Sequence, residues 1–261
     1  MPTRHPPTVL IIAGNDPSGG AGLAADIEAV SALGAHPAPV VAAVTVQDTV
    51  NVRRVELMSP QLVVDQARAV LDDQPVAAIK LGLLGSVAIG EAVAALLQDW
   101  TTLPLVLDPV LVAGGGGELA DAALIQTYLE RLFPLAELVT PNALESRRLA
   151  PGAGDAAQRA AILLRSGCRH VLVKGADEDT ADVHNILFSA DGSHQRFEWP
   201  RLPGSYHGSG CTLASAIAAL LAHGKSMRDA VTEAQQFTWN ALRQGWQPGK
   251  GQRIPNRRVQ S

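Results

Sequence analysis

TVLIIAGNDPSGGAGLAADIEAVSALGAHPAPVVAAVTV, residues 8–46, is the stretch whose reading decides the fold. Residues 8–13 form a short apolar run rich in β-branched side chains and stopped by Gly14, which reads as a buried strand. After a turn over residues 15–20, residues 21–33 place Leu23, Ile27, Val30 and Ala32 near helical spacing, and Gly34 closes the helix. Residues 40–46 return to an apolar strand. Strand, helix and strand in so short a span make a βαβ unit. Its strands are continuous apolar runs because helices cover both faces of a parallel sheet.

The alternation continues. Spacing predicts helices over 59–71, 86–97, 119–132, 142–150 and 156–166, and strands over 77–81, 103–107, 138–140 and 170–174. The rhythm breaks at 186–189 and 195–199, where the intervening Asp191 and Gly192 signal a hairpin. The expectation is an α/β fold with a mostly parallel central sheet flanked by helices and a small antiparallel hairpin at one edge. Helices over 212–223 and 227–242 close the chain before a polar tail. With no long linker and no solenoid period, residues 1–261 read as a single domain, with 1–7 and 247–261 loosely ordered.

A hydrophobic content of 47% supplies a large core, and a formal net charge of -4 gives no broad basic face, so nucleic acid is not an expected partner. Two cysteines, Cys168 and Cys211, make neither a disulfide framework nor a metal cluster, which fits a reducing cytoplasm. Residues 1–7 carry no long apolar segment and no window approaches a membrane-spanning length, so no membrane partner is expected either. Apolar helices on a small α/β domain leave a homodimer open.

In an open α/β sheet, ligands bind beyond the carboxyl ends of the strands, and the unusual turns of this chain fall there. The most informative is Gly208, Ser209, Gly210, Cys211, Thr212, opening an apolar helix. Free N–H groups at a helix N-terminus suit a phosphoryl group, and a thiol in that field can ionise well below its usual pKa of about 8.5. The same glycines also suit a plain tight turn. The glycine-rich loop from Asp16 to Gly22 lacks the spacing of a dinucleotide or P-loop motif, and Asp26 one turn later is placed to receive hydrogen bonds from an amine or hydroxyl, or the two are plain helix-start glycines and a solvated Asp. Gln47, at a strand end, offers a donor and an acceptor to a ring bearing an amino group beside a ring nitrogen, or is a surface residue. Asp108 ends another strand, and Asn142 with Glu145 stands at i, i+3: oxygens for Mg²⁺, or a helix cap. Lys174 at a strand end suits a nucleotide phosphate, or is an edge lysine. Tyr206 and His207 read as hinge or lid residues, and the basic tail (Lys250, Arg253, Arg257, Arg258) as a solvated end.

In order along the chain stand AGNDPSGGAGLAAD (13–26), SALGA (31–35), VQDT (46–49), LDPV (107–110), TPNALE (140–145), LVKG (172–175) and HGSGCTLASAIAA (207–219). Together they resemble the hydroxymethylpyrimidine and phosphomethylpyrimidine kinases of thiamine biosynthesis, a branch of the ribokinase-like superfamily, over nearly the whole chain. The resemblance implies a ribokinase-like three-layer sandwich. It also implies ATP and Mg²⁺, and two successive phosphorylations of 4-amino-5-hydroxymethyl-2-methylpyrimidine. By the same resemblance Cys211 matches the base, and Gly208, Ser209 and Gly210 the anion hole. Gln47 matches the pyrimidine reader, with Gly14, Ala21, Asp26, Leu83 and Val110 around the ring. Asn142, Lys174 and Gly175 fall on the nucleotide side, and Glu145 with Asp108 on the metal. The chain departs from the pattern where Gly114 to Gly117 replace Ala-Lys-Ser-Gly, which puts the second phosphorylation in question. Ala176 and Asp177 likewise replace a usual Gly-His. The rival expectations are a pyridoxal kinase and a pyrimidine-binding protein without turnover.

Overall fold

The computed structural model describes residues 5–112 and 120–258. In chain order the elements are β1 (Thr8–Asn15), α1 (Gly22–Ala32), β2 (His36–Gln47), β3 (Val52–Leu57), α2 (Pro60–Asp73), β4 (Val76–Leu81), α3 (Val87–Leu97) and β5 (Leu105–Leu107). They continue with α4 (Ala122–Thr127), β6 (Leu138–Val139), α5 (Ala143–Leu149), α6 (Ala156–Arg165), β7 (His170–Val173), β8 (Asp182–Ser189), β9 (His194–Pro200), α7 (Ser209–Ala222) and α8 (Met227–Arg243). The strands form one nine-stranded sheet in the order β3-β2-β1-β4-β5-β6-β7-β8-β9. The centre, from β2 to β7, is parallel, while the pairings β2–β3, β7–β8 and β8–β9 are antiparallel.

The side-chain period of a strand builds the three layers. Leu10 and Ile12 of β1 point into one core with Val63 and Ala67 of α2 and Ile89 and Val93 of α3. Val9, Ile11 and Ala13 point into the other with Val30 of α1, Ile217 of α7 and Phe237 of α8. Burying each such side chain stabilises the fold by about 1.5–3 kcal/mol, so β1 is fixed from both sides.

The mostly parallel sheet and the hairpin at one edge, β8–β9, are as expected, and other expectations are corrected. Antiparallel pairing stands at both edges of the sheet, because β3 folds back on β2 through a turn in which Asp48 Oδ1 accepts from the N–H groups of Val50 and Asn51. Strand β2 begins at His36, four residues before the apolar run, despite Pro37 and Pro39. Over that stretch its named pairing is with β1 alone, and β3 joins only from Ala43, so the missing proline N–H groups cost no rung there. The helix expected over 119–132 is short: α4 runs into a widened turn at Tyr128–Leu132 and a 3-10 turn at Phe133–Leu135, where Pro134 cannot donate to a continuing helix. The tail is not a loose solvated end through residue 258. Tyr206 bridges Arg253, Trp246 bridges Ile254, and Arg257 is only 1% exposed. No helix among the described residues is long and apolar enough to cross a membrane.

Candidate active site

The chain leaves β1 for β2 on one side and returns as β4 on the other, and ligands favour the crevice at such a switch point. A cleft of about 280 Å³ opens there, and its lining brings together Gly14, Ala21, Gln47, Leu83 and Val110 with Asp108, Asn142, Glu145, Lys174 and the turn Gly208 to Cys211. A second cleft of about 320 Å³ adjoins it, sharing Lys174, Ser209 and Gly210 and extending past Trp199 and Trp239. Two residues expected in the site lie outside this lining. Gly175 packs its α-carbon against the His184 carbonyl and gives its N–H to Asn185 Oδ1 at 3.0 Å. Asp26 lies fully buried beneath the cleft and pairs with Lys80.

The cradle depends on Gly208, whose φ of +79° belongs to the left-handed region and whose missing side chain lets the Gly20 carbonyl pack against it. It is the N-cap of α7, so the first N–H groups of the helix open into the cleft. At Gly210 a Cβ would stand 2.9 Å from Lys174 Nζ, so the glycine is what lets the ammonium lie against the cradle. That ammonium donates to Asp108 Oδ1 at 2.9 Å, an oxygen that also accepts from Thr140 Oγ1 at 3.0 Å. Burial works against the Asp108 charge, but Lys174 and then Lys80 outweigh it and hold the carboxyl below its usual range. Burial likewise works against the Lys174 charge, and Asp108 and Glu145 keep the proton on it.

The expected ionisation of Cys211 is corrected. Burial pushes its thiol up to about 11, with Asp26 and Asp108 adding to the effect and Lys80 and the Gly22 N–H opposing it. Desolvation and two nearby carboxylates outweigh the field at the start of α7. With its proton held by burial, the thiol is neutral at rest.

Asn142 and Glu145 form a complete capping box: Asn142 Oδ1 accepts from Glu145 N–H and Glu145 Oε2 from Asn142 N–H, each at 2.8 Å. This does not remove Glu145 from the cleft. Burial raises its carboxyl to about 7, against the pull of Lys174. Below the floor, Lys80 Nζ meets both Asp26 oxygens at 2.8 Å, and Ser215 Oγ donates to Oδ1 at 2.7 Å. Burial disfavours the Lys80 charge, and the Asp26 carboxylate holds its proton in place.

Four positions that shape the cleft escaped the sequence reading. Lys80 interrupts an apolar strand, VAAIKL, and that misfit was its signal. His207 is no lid: it is 8% exposed and packs on Gly20, with Nε2 2.8 Å from Asp16 Oδ2 and 2.8 Å from the Gln47 amide. Asp16 itself gathers the glycine loop through Ser18 N–H and Ala21 N–H, both at 2.8 Å. Arg257 reaches back to Thr212 Oγ1 at 2.8 Å, Glu28 at 3.1 Å and the Gly20 carbonyl, and no local pattern announced that contact. The glycine run 114–117 lies outside the described residues.

A model of the phosphomethylpyrimidine kinase family matches residues 16–256. The chain belongs to that family. Among its relatives, the hydroxymethylpyrimidine/phosphomethylpyrimidine kinase of Escherichia coli is 39% identical over 241 residues, covering 90% of each chain. The thiamine biosynthesis bifunctional protein ThiED of Geobacter sulfurreducens is 42% identical over 94% of this chain. This chain spans about half the length of such bifunctional relatives. Among solved structures, a pyridoxal kinase from Staphylococcus aureus bound to AMP-PCP and pyridoxal superposes with a TM-score of 0.87 at 27% identity, over 97% of this chain and 94% of its own. A phosphomethylpyrimidine kinase from Clostridium difficile gives a TM-score of 0.78 at 30% identity, over 91% and 99%. The ribokinase-like sandwich is thus common to pyridoxal and pyrimidine kinases, and the sequence matches place this member with the pyrimidine branch.

Proposed function

We propose that this chain is an ATP-dependent kinase that phosphorylates the hydroxymethyl group of 4-amino-5-hydroxymethyl-2-methylpyrimidine and then the resulting monophosphate, in the cytoplasm, as one domain. The observation that carries the proposal is the meeting of the Gly208 to Cys211 cradle and Lys174 on one wall of the cleft with Gln47 on another. The cleft holding Gln47 takes the ring, with Gly14, Ala21, Leu83 and Val110 against its faces. The adjoining cleft, lined partly by Trp199 and Trp239, takes the nucleotide. Apolar Val44 and Val46 of β2 and Val50 in the turn to β3, all exposed, are the surface a homodimer would cover.

Transfer forms a bond from the hydroxymethyl oxygen to the γ-phosphorus as the bond to the β,γ-bridging oxygen breaks, and the hydroxyl proton passes late in the step to an oxygen of the transferred phosphoryl group. The charge that moves is spread over phosphoryl oxygens, so positioning and electrostatics carry most of the catalysis. Cradle N–H groups and the Lys174 ammonium supply that stabilisation, while Cys211 orients the attacking hydroxyl through its sulfur. The donors Glu145, Asp108 and Asn142 fit Mg²⁺, which takes hard oxygens and shares one or two carboxylates with substrate phosphates. When bound, Mg²⁺ would neutralise phosphate charge beside Glu145.

The test is mass analysis of products from purified protein with ATP, Mg²⁺ and the hydroxymethylpyrimidine, run beside pyridoxal. Monophosphate followed by diphosphate is expected. Monophosphate alone would restrict the chain to one step and implicate the glycine run. Phosphorylation of pyridoxal with the pyrimidine untouched would transfer the proposal to the rival kinase. Binding of the pyrimidine without ATP consumption would refute turnover altogether.

A further inference from the structure

Asp16 is saturated with donors: Oδ1 accepts from Ser18 N–H, and Oδ2 accepts from Ala21 N–H at 2.8 Å and Ser18 Oγ at 3.0 Å. A carboxylate so placed is an acceptor only, so the His207 Nε2 lying 2.8 Å from Oδ2 must carry its hydrogen. The Gln47 amide atom 2.8 Å from that same Nε2 therefore cannot be a nitrogen, since two N–H groups would then face each other. It is Oε1, sharing the His207 hydrogen with Asp16; which end of an amide is which is settled by such partners. The amide nitrogen then lies 3.2 Å from Thr45 Oγ1, whose own hydrogen goes to the Asn15 carbonyl at 3.0 Å. Along this chain every donor meets an acceptor. His207 is held in place by Gly20, where a Cβ would collide with the ring.

We infer that His207 is a specificity-determining residue: backed by Asp16, it locks the Gln47 amide in one orientation, so that the cleft selects a 4-amino ring over its 4-oxo counterpart. In that orientation the amide keeps one lone pair on Oε1 and one N–H for a ligand. A ring nitrogen accepts that N–H while the adjacent amino group donates to Oε1. A 4-oxo ring in the same pose offers a ring N–H beside a carbonyl, the reverse pattern. Accepting it would require the amide to turn, setting its nitrogen against the His207 N–H. The inference rests on Gln47 facing the pyrimidine, as proposed above. A site whose buried polar groups would be left unpaired rejects a mismatched ligand by large factors, and at least about 100-fold is expected here.

The experiment measures dissociation constants by calorimetry for the 4-amino and 4-oxo hydroxymethylpyrimidines, with thermal melts confirming that each variant is folded. His207→Phe should narrow the amino-to-oxo ratio by about tenfold or more, because the amide is freed to turn. His207→Gln, which retains a side-chain N–H, should recover most of the ratio, a rescue that a merely structural role would not give. Asp16→Asn removes the acceptor that fixes the hydrogen on Nε2 and should narrow the ratio as well; it replaces His207→Phe if that variant does not fold. A ratio kept within twofold in the folded variant, while Gln47→Ala abolishes it, overturns the lock. If Gln47→Ala leaves binding of the amino ring unchanged, the placement of Gln47 at the ring falls first, and the inference falls with it.

Discussion

The state of Cys211 decides what the residue does, and it can be measured directly. With the thiol raised to about 11, its ionised share at pH 7.5 is roughly one part in three thousand, by the relation of one decade per pH unit. Forming the thiolate at that pH therefore costs about 5 kcal/mol. General-base catalysis contributes about 10²–10⁴-fold, or roughly 3–5 kcal/mol, so the cost cancels the gain. In the proposed reaction the residue then acts chiefly by orienting the hydroxyl, and Cys211→Ser, which keeps a hydrogen-bonding group, should retain turnover within about tenfold. Cys211→Ala should cut turnover well below that while leaving pyrimidine binding nearly unchanged. The assay for the charge state is alkylation of the ligand-free protein by iodoacetamide across pH, with Cys211→Ala as the blank for the buried Cys168. The rate should rise with pH and show no plateau below about pH 10, running at pH 7.5 far beneath that of a free thiol. A plateau near pH 7–8, or a loss of more than about a thousandfold in Cys211→Ser, would refute the reasoning and restore a preformed thiolate base.

Other consequences follow from the buried charges. Glu145 binds its proton up to about pH 7 in the fold, against about 4.3 when unfolded, so its contribution favours the native state at low pH and is lost as pH rises through 7. With Glu145 in its proposed place beside Mg²⁺ and phosphate, where the ionised form serves, kcat/KM for ATP should rise through an apparent pKa near 7, and Glu145→Gln should flatten that limb. Lys80→Met leaves the Asp26 carboxylate buried without its cation, which costs about 3–5 kcal/mol; the calorimetric melt should fall by roughly 10 °C, and adding Asp26→Leu should recover much of it. Arg257→Ala strips the Gly20 carbonyl and Thr212 of their donor, at a cost of about 3 kcal/mol, and hydrogen exchange should quicken across residues 16–22.

What the sequence made legible followed from the rules that govern it. The βαβ opening was readable because strands buried on both faces must be apolar throughout, and the Asp191-Gly192 hairpin because its turn demands those residues. Cleft residues such as Gln47, Asp108 and Lys174 were found because each ends a strand, where topology alone brings them together. Strand β3 was not found: Arg53, Arg54 and Glu56 make VRRVEL look like a loop, and the cue lay in the side chain of Asp48 four residues earlier. Arg257 and Thr212 are far apart in the chain, and no spacing rule reaches that far. The Cys211 error has a different origin. A helix N-terminus is visible in sequence, but the desolvation and the carboxylates that overrule it exist only after folding.

A neutral thiol is also what the charge balance of this cleft requires. Asp108 answers Lys174 and Asp26 answers Lys80, so the resting site carries no spare cation from either pair. In the proposed reaction a nucleotide delivers its negative γ-phosphoryl to the cradle in which Cys211 sits. Two unit charges about 4 Å apart repel by about 4 kcal/mol at the effective dielectric of a partly buried site, so a resting thiolate would work against the group the cradle binds. The same repulsion would act on the transition state, whose charge lies on the phosphoryl oxygens. Raising the thiol above the working pH removes that conflict. It leaves the N–H groups of α7 to act on the phosphoryl, together with the Lys174 N–H groups not given to Asp108, and it makes Lys80 the group to perturb next. Without its charge the thiol should move still higher, so alkylation of a folded Lys80→Met, Asp26→Leu variant tests whether the Lys80 charge or the Asp26 charge has the greater hold on Cys211. Lys80 stands ahead of Asp26 among those influences, so slower alkylation than in the parent protein is expected, and faster alkylation would reverse that order.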